Sequence, residues 1–313
     1  MRGTGKPDVS LGTDYAIAIE KWHELHNEKP KTIGRIQEAI NRFVDEYLGG
    51  EKGETTPAYE NKDTVRSYKK QLKNIGAAFG QMAWHEVTLP VMREYLDLRS
   101  AKTQGNREMS VLSILWGKAR IWGMTQLPWP AAGVKDWKNP EAARQFEVTD
   151  QLFDAVYAHA DQVLKDAMDI SSATGMRITD ARTVRMPVDG KLRFKSSKKG
   201  KVAYFEVADS PVLTALIKRR GTVDSVMLLT THTGRAVSES MLRDRYEYAR
   251  EKAAQANPKI ATEIRAMWLR DMRKRAADLA EDDDEASKLL QHSDKKITNT
   301  HYRTKGTKLK AVR

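Results

Sequence analysis

Apolar residues recur at helical spacing through most of the first 125 residues of the chain. A short helix is predicted over 14–28, and a second one is capped by Thr32 and ends at Gly49-Gly50, where glycine allows a left-handed turn. The same pattern predicts three more helices. One covers 62–80, one starts at residue 89 with proline in its first turn, and one covers 105–123. The front part of the chain is therefore predicted to be entirely α-helical.

The pattern changes between residues 126 and 148, where prolines and a glycine break regular structure. A domain boundary is predicted there. One long amphipathic helix is then predicted to run from about residue 150 to Gly175. Residues 191–207 have no helical period and predict two strands joined by a turn, and the chain after Ser210 is predicted to be helical almost to its end.

These patterns predict a mainly α fold. It consists of a helical N-terminal domain and a mixed, mostly α second domain with a small antiparallel β-sheet. The predicted boundaries are a short helical segment over 1–30, a helical domain over 31–138, a linker over 139–148 and a second domain over 149–313.

Charge adds a class of partner to this picture. The 313 residues carry a net charge of +12 with a pI of about 9.6, which favours a polyanion such as nucleic acid. The absence of cysteine excludes disulfides, a thiolate nucleophile and a cysteine-based zinc site. No apolar run is long enough to cross a bilayer, and the N-terminus does not read as a signal peptide, so we expect cytoplasmic residence and no membrane partner.

Four segments of the second domain carry residues suited to phosphate chemistry. They are Ala173–Ala181 with Arg177 and Asp180, the turn Lys195–Lys201, the stretch Trp268–Leu279 with Arg270 and Arg273, and Leu289–Asp294 followed by Tyr302. An arginine fork can hold two phosphate oxygens at once. On a helical wheel, Arg273 falls about 40° from Leu269, at the edge of a predicted buried apolar stripe that also contains Leu279. A charge that is partly buried in such a stripe needs a partner.

Taken together, in this order and spacing, the four segments resemble the catalytic domain of tyrosine recombinases of the phage-integrase type. The resemblance covers roughly 149–302. It implies that Tyr302 attacks a DNA phosphate, that Arg177 and Arg273 hold it, and that His292 binds it and helps to deprotonate the nucleophile. Asp180 would orient the surroundings of Arg177.

The resemblance also implies a general acid on the hairpin. Lys198 is the expected residue and Lys201 is its rival. Two positions depart from the family pattern: Arg270 stands where most members have histidine, and Gln291 stands where they have glycine. Arginine cannot act as a base near neutral pH, so Arg270 is expected to bind phosphate.

By the same resemblance, residues 31–138 are the core DNA-binding domain, and the arm-site domain of related integrases is expected to be absent or truncated. The expected partners are double-stranded DNA attachment sites, further copies of the chain in a homotetramer, and accessory DNA-bending and directionality proteins. No metal and no cofactor are expected, and residence is expected at the nucleoid of a bacterial host. The predicted DNA contacts are Lys69, Lys73, Arg107, Lys199 and Lys201.

The expected activity is integration or excision of a phage or other mobile element through a 3′-phosphotyrosine, without ATP. Two alternatives stay open. One is a resolvase of the Xer or Cre type, or a transposon recombinase. The other is a DNA-binding protein of the same fold that has lost catalysis, which the Arg270 departure favours.

Overall fold

The computed structural model describes residues 10, 21, 34–51, 53, 56–198, 200–221 and 223–304. The chain separates into two compact units that divide between Ala142 and Ala143. This division lies inside the segment predicted as a linker. Thr32, Lys199, residues 305–313 and, apart from residue 21, the predicted helix over 14–28 lie outside the described residues.

Four helices form the described part of unit one: α1 (Ile36–Leu48), α2 (Lys62–Phe79), α3 (Leu89–Leu98) and α4 (Lys102–Ile121). Helix α1 ends at Gly49 with a positive φ of 78°, as its sequence predicts. Asn61 caps α2 by accepting hydrogen bonds from the backbone N–H groups of Asp63 and Thr64. The prediction of an all-helical front part is confirmed for these residues.

The core of unit one is rich in aromatic side chains. Trp84 and Trp116 are buried and meet edge to face, with ring centroids 4.9 Å apart. Glu108 on α4 is fully buried, and its carboxylate accepts hydrogen bonds from Tyr95 at 2.7 Å and Arg99 at 2.9 Å. A buried carboxylate needs such partners, and they tie α3 to α4.

Unit two contains nine more helices in the described residues and one hairpin. The helices are α5 (Asp150–His159), α6 (Gln162–Thr174), α7 (Ile178–Thr183), α8 (Pro211–Arg220), α9 (Glu239–Ala256), α10 (Ala261–Ala266), α11 (Met272–Leu279), α12 (Asp283–Leu289) and α13 (Lys295–His301). The strands are β1 (Lys191–Lys195) and β2 (Val202–Glu206), which pair antiparallel with Lys191 opposite Glu206 and Lys195 opposite Val202. The predicted fold class is confirmed.

Three details of the sequence prediction were wrong. The long helix predicted up to Gly175 is broken after His159, because Asp161 caps a new helix by accepting from the N–H of Leu164 at 3.0 Å. The described residues between α8 and α9, 221 and 223–238, are not helical. Leu279, predicted in a buried stripe, is 56% exposed because α11 ends there.

The run of acidic residues from Glu281 to Glu285 contains the start of a helix. Asp282 caps α12 by accepting from the N–H groups of Asp284 and Glu285, at 2.8 and 2.7 Å. Asp283, Asp284 and Glu285 form the first turn, where negative charge is favoured by the helix dipole.

Two apolar clusters hold unit two together, and α6 contributes to both. One cluster joins α6 to α5, α9 and α10, and the other joins α6 to β1, α8 and the chain around Leu228. Because α6 ends at Gly175, the packing of this central helix fixes where the segment carrying Arg177 begins.

Among the residues that the structure describes, no helix is both long and apolar enough to cross a membrane. In the same part of the chain, no group of three or more His, Cys, Asp and Glu side chains is arranged to hold a metal ion.

Candidate active site

Arg273 lies in the first turn of α11 with 7% of its surface exposed. Its guanidinium donates hydrogen bonds to the carbonyl oxygen of Gly175 and, at 2.7 Å, to that of Leu290. These carbonyls lie at the C-terminal ends of α6 and α12, where a positive charge is favoured by both helix dipoles. The backbone thus fixes the direction of the guanidinium.

Gly175 is required at this junction for two reasons. Its φ of 64° is left-handed, and a Cβ atom added there would lie 2.9 Å from Cδ2 of Leu290. A larger residue would therefore require the Leu290 side chain, at the end of α12, to move. This close approach is what allows one arginine to reach the ends of both helices.

Arg177 begins the next helix, α7, only two residues after Gly175. Its side chain is 27% exposed, and its Nη1 atom lies 4.0 Å from Oδ2 of Asp180. The same Nη1 atom donates a hydrogen bond to Oγ of Ser196 at 3.4 Å. The other oxygen of Asp180 accepts a hydrogen bond from the backbone N–H of Ser197 at 2.9 Å. Asp180 therefore joins Arg177 to the turn of the hairpin.

The two arginines raise the positive potential of this region. Burial lowers the pKa of Arg273, and the charge of Arg177 lowers it further, while Tyr302 and Asp180 act in the opposite direction. The Nε atom of Arg273 is buried without a hydrogen-bond partner in the described part of the chain. Such a pair of cations favours binding of an anion, and the planar guanidinium matches the geometry of a phosphate.

His292 follows α12 in a turn that requires an unusual backbone. Gln291 has a positive φ of 53°, and the N–H of His292 donates back to the carbonyl of Ser287 at 3.1 Å. This pattern is a Schellman motif, in which glycine is the usual residue at the position of Gln291. The turn directs the His292 ring toward Arg273, with Nε2 lying 3.5 Å from Nη2 of the arginine.

Tyr302 directly follows the last residue of α13 and lies against the same group. Its ring centroid is 4.7 Å from that of His292, and the guanidinium carbon of Arg273 lies 5.4 Å from the Tyr302 ring. The two residues after Tyr302 are anchored on α11: Arg303 donates to the carbonyl of Ala277 at 2.7 Å, and the N–H of Thr304 donates to Asp278 at 2.8 Å. The chain is thus held on both sides of the tyrosine.

Lys198 and Lys201 lie on the exposed hairpin. The carbonyl of Lys201 accepts from the N–H of Ser196 at 2.8 Å, which closes the turn. Among the described contacts, the structure joins neither lysine to Arg273 or Tyr302 by a hydrogen bond. The hairpin turn is linked to Arg177 instead. The Ser196 hydroxyl accepts from Arg177, and the carboxylate of Asp180 accepts from the N–H of Ser197.

Arg270 is exposed, and its guanidinium carbon lies 3.9 Å from the centroid of the Trp268 ring. The guanidinium of Arg144 lies 4.2 Å from the same ring and donates to Asp271 at 2.9 Å. Stacking on tryptophan orients Arg270 without neutralising it. In the part of the chain that the structure describes, no hydrogen bond connects Arg270 to the residues around Arg273.

The chain that enters unit two is fastened to the helix that carries Arg273. Lys274 donates to the carbonyl of Arg144, and Arg275 donates to the carbonyl of Val148 at 3.1 Å. These two basic residues directly follow Arg273 in sequence. Residues 144–148 therefore brace α11 next to the candidate site.

Three DNA-contact candidates lie in unit one. Lys69 donates to the backbone carbonyls of Gly50 and Glu51, the latter at 3.3 Å, and with the exposed Lys73 it lines a cleft of about 1030 Å³. Arg107 is paired with Glu141 at 2.8 Å. Of the other two candidates, Lys201 lies on the hairpin described above and Lys199 lies outside the described residues.

Sequence reasoning missed several of these contacts. Ser196 and Thr298 are buried and touch Arg177 and His292, and Arg144 braces the loop of Arg270. One signal was available for Thr298, because it precedes Tyr302 by four residues and so shares its face of the helix. The contacts of Ser196 and Arg144 join segments far apart in sequence, and no local pattern marks them.

No protein-family model and no curated protein sequence matches the chain. Solved structures do match. A lambda integrase dimer bound to a COC′ core site is 15% identical, with 95% of this chain and 88% of that chain covered and a TM-score of 0.69. A lambda integrase tetramer bound to a Holliday junction is 18% identical, with coverages of 97% and 92% and a TM-score of 0.65.

The Tn1549 transposon integrase in complex with circular intermediate DNA is 11% identical, with coverages of 86% and 95% and a TM-score of 0.61. At these identities the likeness establishes the fold. The chain has the fold of these integrases across both units, so the resemblance to tyrosine recombinases found in the sequence is confirmed at the level of the fold.

Proposed function

We propose that this protein is a site-specific DNA recombinase of the tyrosine recombinase family, which cuts and rejoins DNA through a covalent bond to Tyr302. The observation that carries the proposal is the convergence of Arg177, Arg273, His292 and Tyr302 from three segments that are separate in sequence. A packed core would not by itself bring two arginines together beside a phenol, because their charges repel and burial penalises them. A phosphodiester offsets both costs.

In the proposed reaction the Tyr302 oxygen attacks phosphorus and the bond from phosphorus to the 5′ oxygen breaks. The products are a 3′-phosphotyrosine and a 5′-hydroxyl. His292 accepts the phenol proton, and Lys198 supplies a proton to the leaving 5′ oxygen. Arg177 and Arg273 offset the charge that grows on the phosphoryl oxygens in the transition state.

Rejoining reverses these steps with the 5′-hydroxyl of another strand. Because the phosphotyrosine ester conserves the energy of the original bond, the scheme needs no ATP. The positive charge that it requires comes from arginine, lysine and histidine, so it also needs no metal ion. Arg270 is assigned a supporting contact to the DNA backbone, since arginine only donates hydrogen bonds.

We further propose that the substrate is double-stranded DNA and that four copies of the chain act on two sites. The lambda integrase structures of the same fold were solved on a core site and, as a tetramer, on a Holliday junction. The net charge of +12 supports binding to a polyanion. Unit one is proposed to hold the DNA together with Lys199 and Lys201, in the cytoplasm of a bacterial host.

The proposed biological task is integration or excision of a phage or other mobile element, with accessory bending and directionality proteins. Resolution by an enzyme of the Xer or Cre type, or movement of a transposon, uses the same chemistry. Recombination between two different sites supports integration, whereas recombination between two identical sites supports resolution.

A second candidate is a DNA-binding protein of this fold without strand cleavage. It is favoured by Arg270, which stacks on Trp268 at 3.9 Å and stands where the family has histidine. This candidate predicts specific binding of a DNA site and no covalent product.

The deciding experiment traps the covalent intermediate. DNA sites enriched by binding selection are nicked next to the scissile position, so that the freed 5′ end diffuses away and religation fails. We expect a protein–DNA adduct whose nucleotide maps to Tyr302 by mass spectrometry. Tyr302→Phe should bind the same DNA without forming the adduct, and Tyr204→Phe, which alters an exposed tyrosine of the hairpin, should form it normally.

Each other outcome has a meaning. An adduct on a different residue contradicts the assignment of Tyr302. Tight site-specific binding with no adduct from the unaltered protein favours the second candidate. Absence of any DNA preference contradicts both.

A further inference from the structure

Thr298 is the one buried residue of α13 among those the structure describes, and none of its surface is exposed. Its hydroxyl Oγ1 lies 2.8 Å from Nδ1 of His292. Its backbone carbonyl accepts hydrogen bonds from the N–H groups of Tyr302 at 2.8 Å and Arg303 at 3.0 Å. Thr298 therefore contacts both the histidine and the tyrosine of the candidate site.

The surroundings of His292 determine which ring nitrogen carries the proton. Nε2 lies 3.5 Å from Nη2 of Arg273, and a guanidinium has hydrogen atoms to donate but no lone pair to accept with. Neutral imidazole has one N–H and one lone pair. The favoured tautomer therefore turns the lone pair of Nε2 toward Arg273 and keeps the proton on Nδ1, where Oγ1 of Thr298 accepts it.

We propose that Thr298 is a positioning residue, which holds His292 in the tautomer whose Nε2 can take the proton from Tyr302. This inference rests on the proposed function. The hydroxyl gives the Nδ1–H group an acceptor in a place that solvent does not reach. The backbone carbonyl of the same residue fixes the start of the segment that presents Tyr302.

Loss of the hydroxyl has a defined consequence. Without it, Nδ1–H loses this acceptor, and turning of the ring or movement of its proton to Nε2 is no longer opposed by this contact. Either change removes the lone pair from the position beside Arg273 and Tyr302. Proton transfer from Tyr302 should then slow, although the DNA contacts of the arginines remain.

The first test compares three variants in single-turnover formation of the covalent adduct. Thr298→Val keeps the shape and the branching of the side chain but removes the acceptor. By analogy with other partners that orient a histidine, we expect the rate to fall about 10- to 100-fold with the DNA dissociation constant unchanged. Thr298→Ser restores the hydroxyl and should recover most of the rate.

Thr300→Val is the matched control. It makes the same substitution two residues along the helix, at an exposed position, and should leave the rate unchanged. If Thr298→Val forms the adduct as fast as the unaltered protein, Thr298 only packs and the proposal is wrong. If Thr298→Ser is as slow as Thr298→Val, the hydroxyl is not the cause, and the proposal is equally wrong.

The second test needs no activity and so separates this inference from the proposed function. Long-range ¹H–¹⁵N spectra of the free protein, with ¹⁵N-labelled histidine, report which ring nitrogen is protonated. The seven histidines are resolved by assigning His292 through a His292→Gln variant. We expect the Nδ1–H form in the neutral ring, and its loss in Thr298→Val but not in Thr300→Val.

The two tests fail in different ways. An unaltered protein that forms no adduct contradicts the proposed function, and the spectra then still decide whether Thr298 sets the tautomer. A neutral His292 ring that carries its proton on Nε2 overturns the inference, whatever the cleavage rates are.

Discussion

Arg273 donates a hydrogen bond to the carbonyl oxygen of Leu290 at 2.7 Å, and this contact ties the candidate catalytic arginine to the turn that carries His292. The same guanidinium also holds the carbonyl of Gly175, two residues before Arg177. One side chain thus fixes the mutual position of three segments of the site. It should matter for stability as well as for chemistry.

We predict that Arg273→Lys lowers both the stability of the protein and its rate of DNA cleavage. Lysine lacks the planar fork and cannot hold both carbonyls, and a buried polar group without its partner costs about 1–3 kcal/mol of unfolding free energy. Adduct formation should fall by roughly 10²- to 10³-fold, as when one donor to a transition-state oxyanion is removed. Urea unfolding and trapped-adduct kinetics measure the two effects, and Arg275→Lys on the same helix should retain cleavage. Cleavage at the normal rate by Arg273→Lys would contradict the assignment.

Asp180 is predicted to control the hairpin turn. Its carboxylate accepts from the N–H of Ser197 at 2.9 Å, and a hydrogen bond to a charged group contributes about 1.5–3 kcal/mol. Asp180→Ala should therefore speed hydrogen exchange at the Ser197 amide on the order of 10- to 100-fold, while Asp209→Ala at an exposed site should not. Unchanged exchange in Asp180→Ala would show that the turn is held by other contacts.

The choice between Lys198 and Lys201 as general acid can be made with a modified substrate. Loss of the acid should slow cleavage of a normal phosphodiester by about 10²- to 10⁴-fold. A 5′-bridging phosphorothiolate has a sulfur leaving group that departs without a proton, so it should restore cleavage to Lys198→Ala. Lys201→Ala should cleave both substrates at similar rates. Rescue of Lys201→Ala instead would transfer the role to Lys201.

Much of the fold follows from local patterns in the sequence. The glycine after Leu48 predicted where α1 ends, and the lack of a helical period in residues 191–207 predicted where the hairpin lies. The break between α5 and α6 was missed because apolar spacing continues through it, and only the capping geometry of Asp161 divides the helices. Leu279 was misplaced for a similar reason, since the end of a helix is set by contacts that spacing does not encode.

For the candidate site, the sequence could predict the residue types and their order but not the contacts. Arg177, Arg273, His292 and Tyr302 come from three of the four segments singled out in the sequence, and the structure brings these three segments together. That Arg273 binds the ends of two helices depends on the packing of α12 against Gly175, which no local pattern reveals. The place of Arg270 on Trp268 is equally a tertiary feature.

Lys274 is predicted to make stability depend on pH. Burial lowers its pKa below the usual 10.5, and the charge of Asp271 only partly opposes this. Between the lowered pKa and 10.5 the unfolded chain binds more protons than the folded chain, so the contribution of Lys274 to stability rises with pH in that window.

Removing the amine with Lys274→Met should abolish this slope. The unfolding free energy of the unaltered protein, relative to this variant, should increase between neutral pH and about pH 10. Lys296→Met, which removes an amine at an exposed position of α13, is measured alongside as the control. Urea titrations at several pH values measure the difference, and a flat or falling difference for Lys274→Met would contradict the prediction.

Gln291 is predicted to be a costly residue in a turn that prefers glycine. A left-handed conformation costs a residue with a side chain about 1–2 kcal/mol, and glycine avoids this cost. Part of the resulting gain in stability is lost because glycine has more conformational entropy in the unfolded state. Gln291→Gly should therefore raise the unfolding free energy by about 0.5–1 kcal/mol. Gln291→Ala keeps the Cβ atom that causes the strain, so it should gain nothing of this kind. If Gln291→Gly is no more stable than Gln291→Ala in urea unfolding, glycine relieves no strain at this left-handed position, and the prediction is wrong.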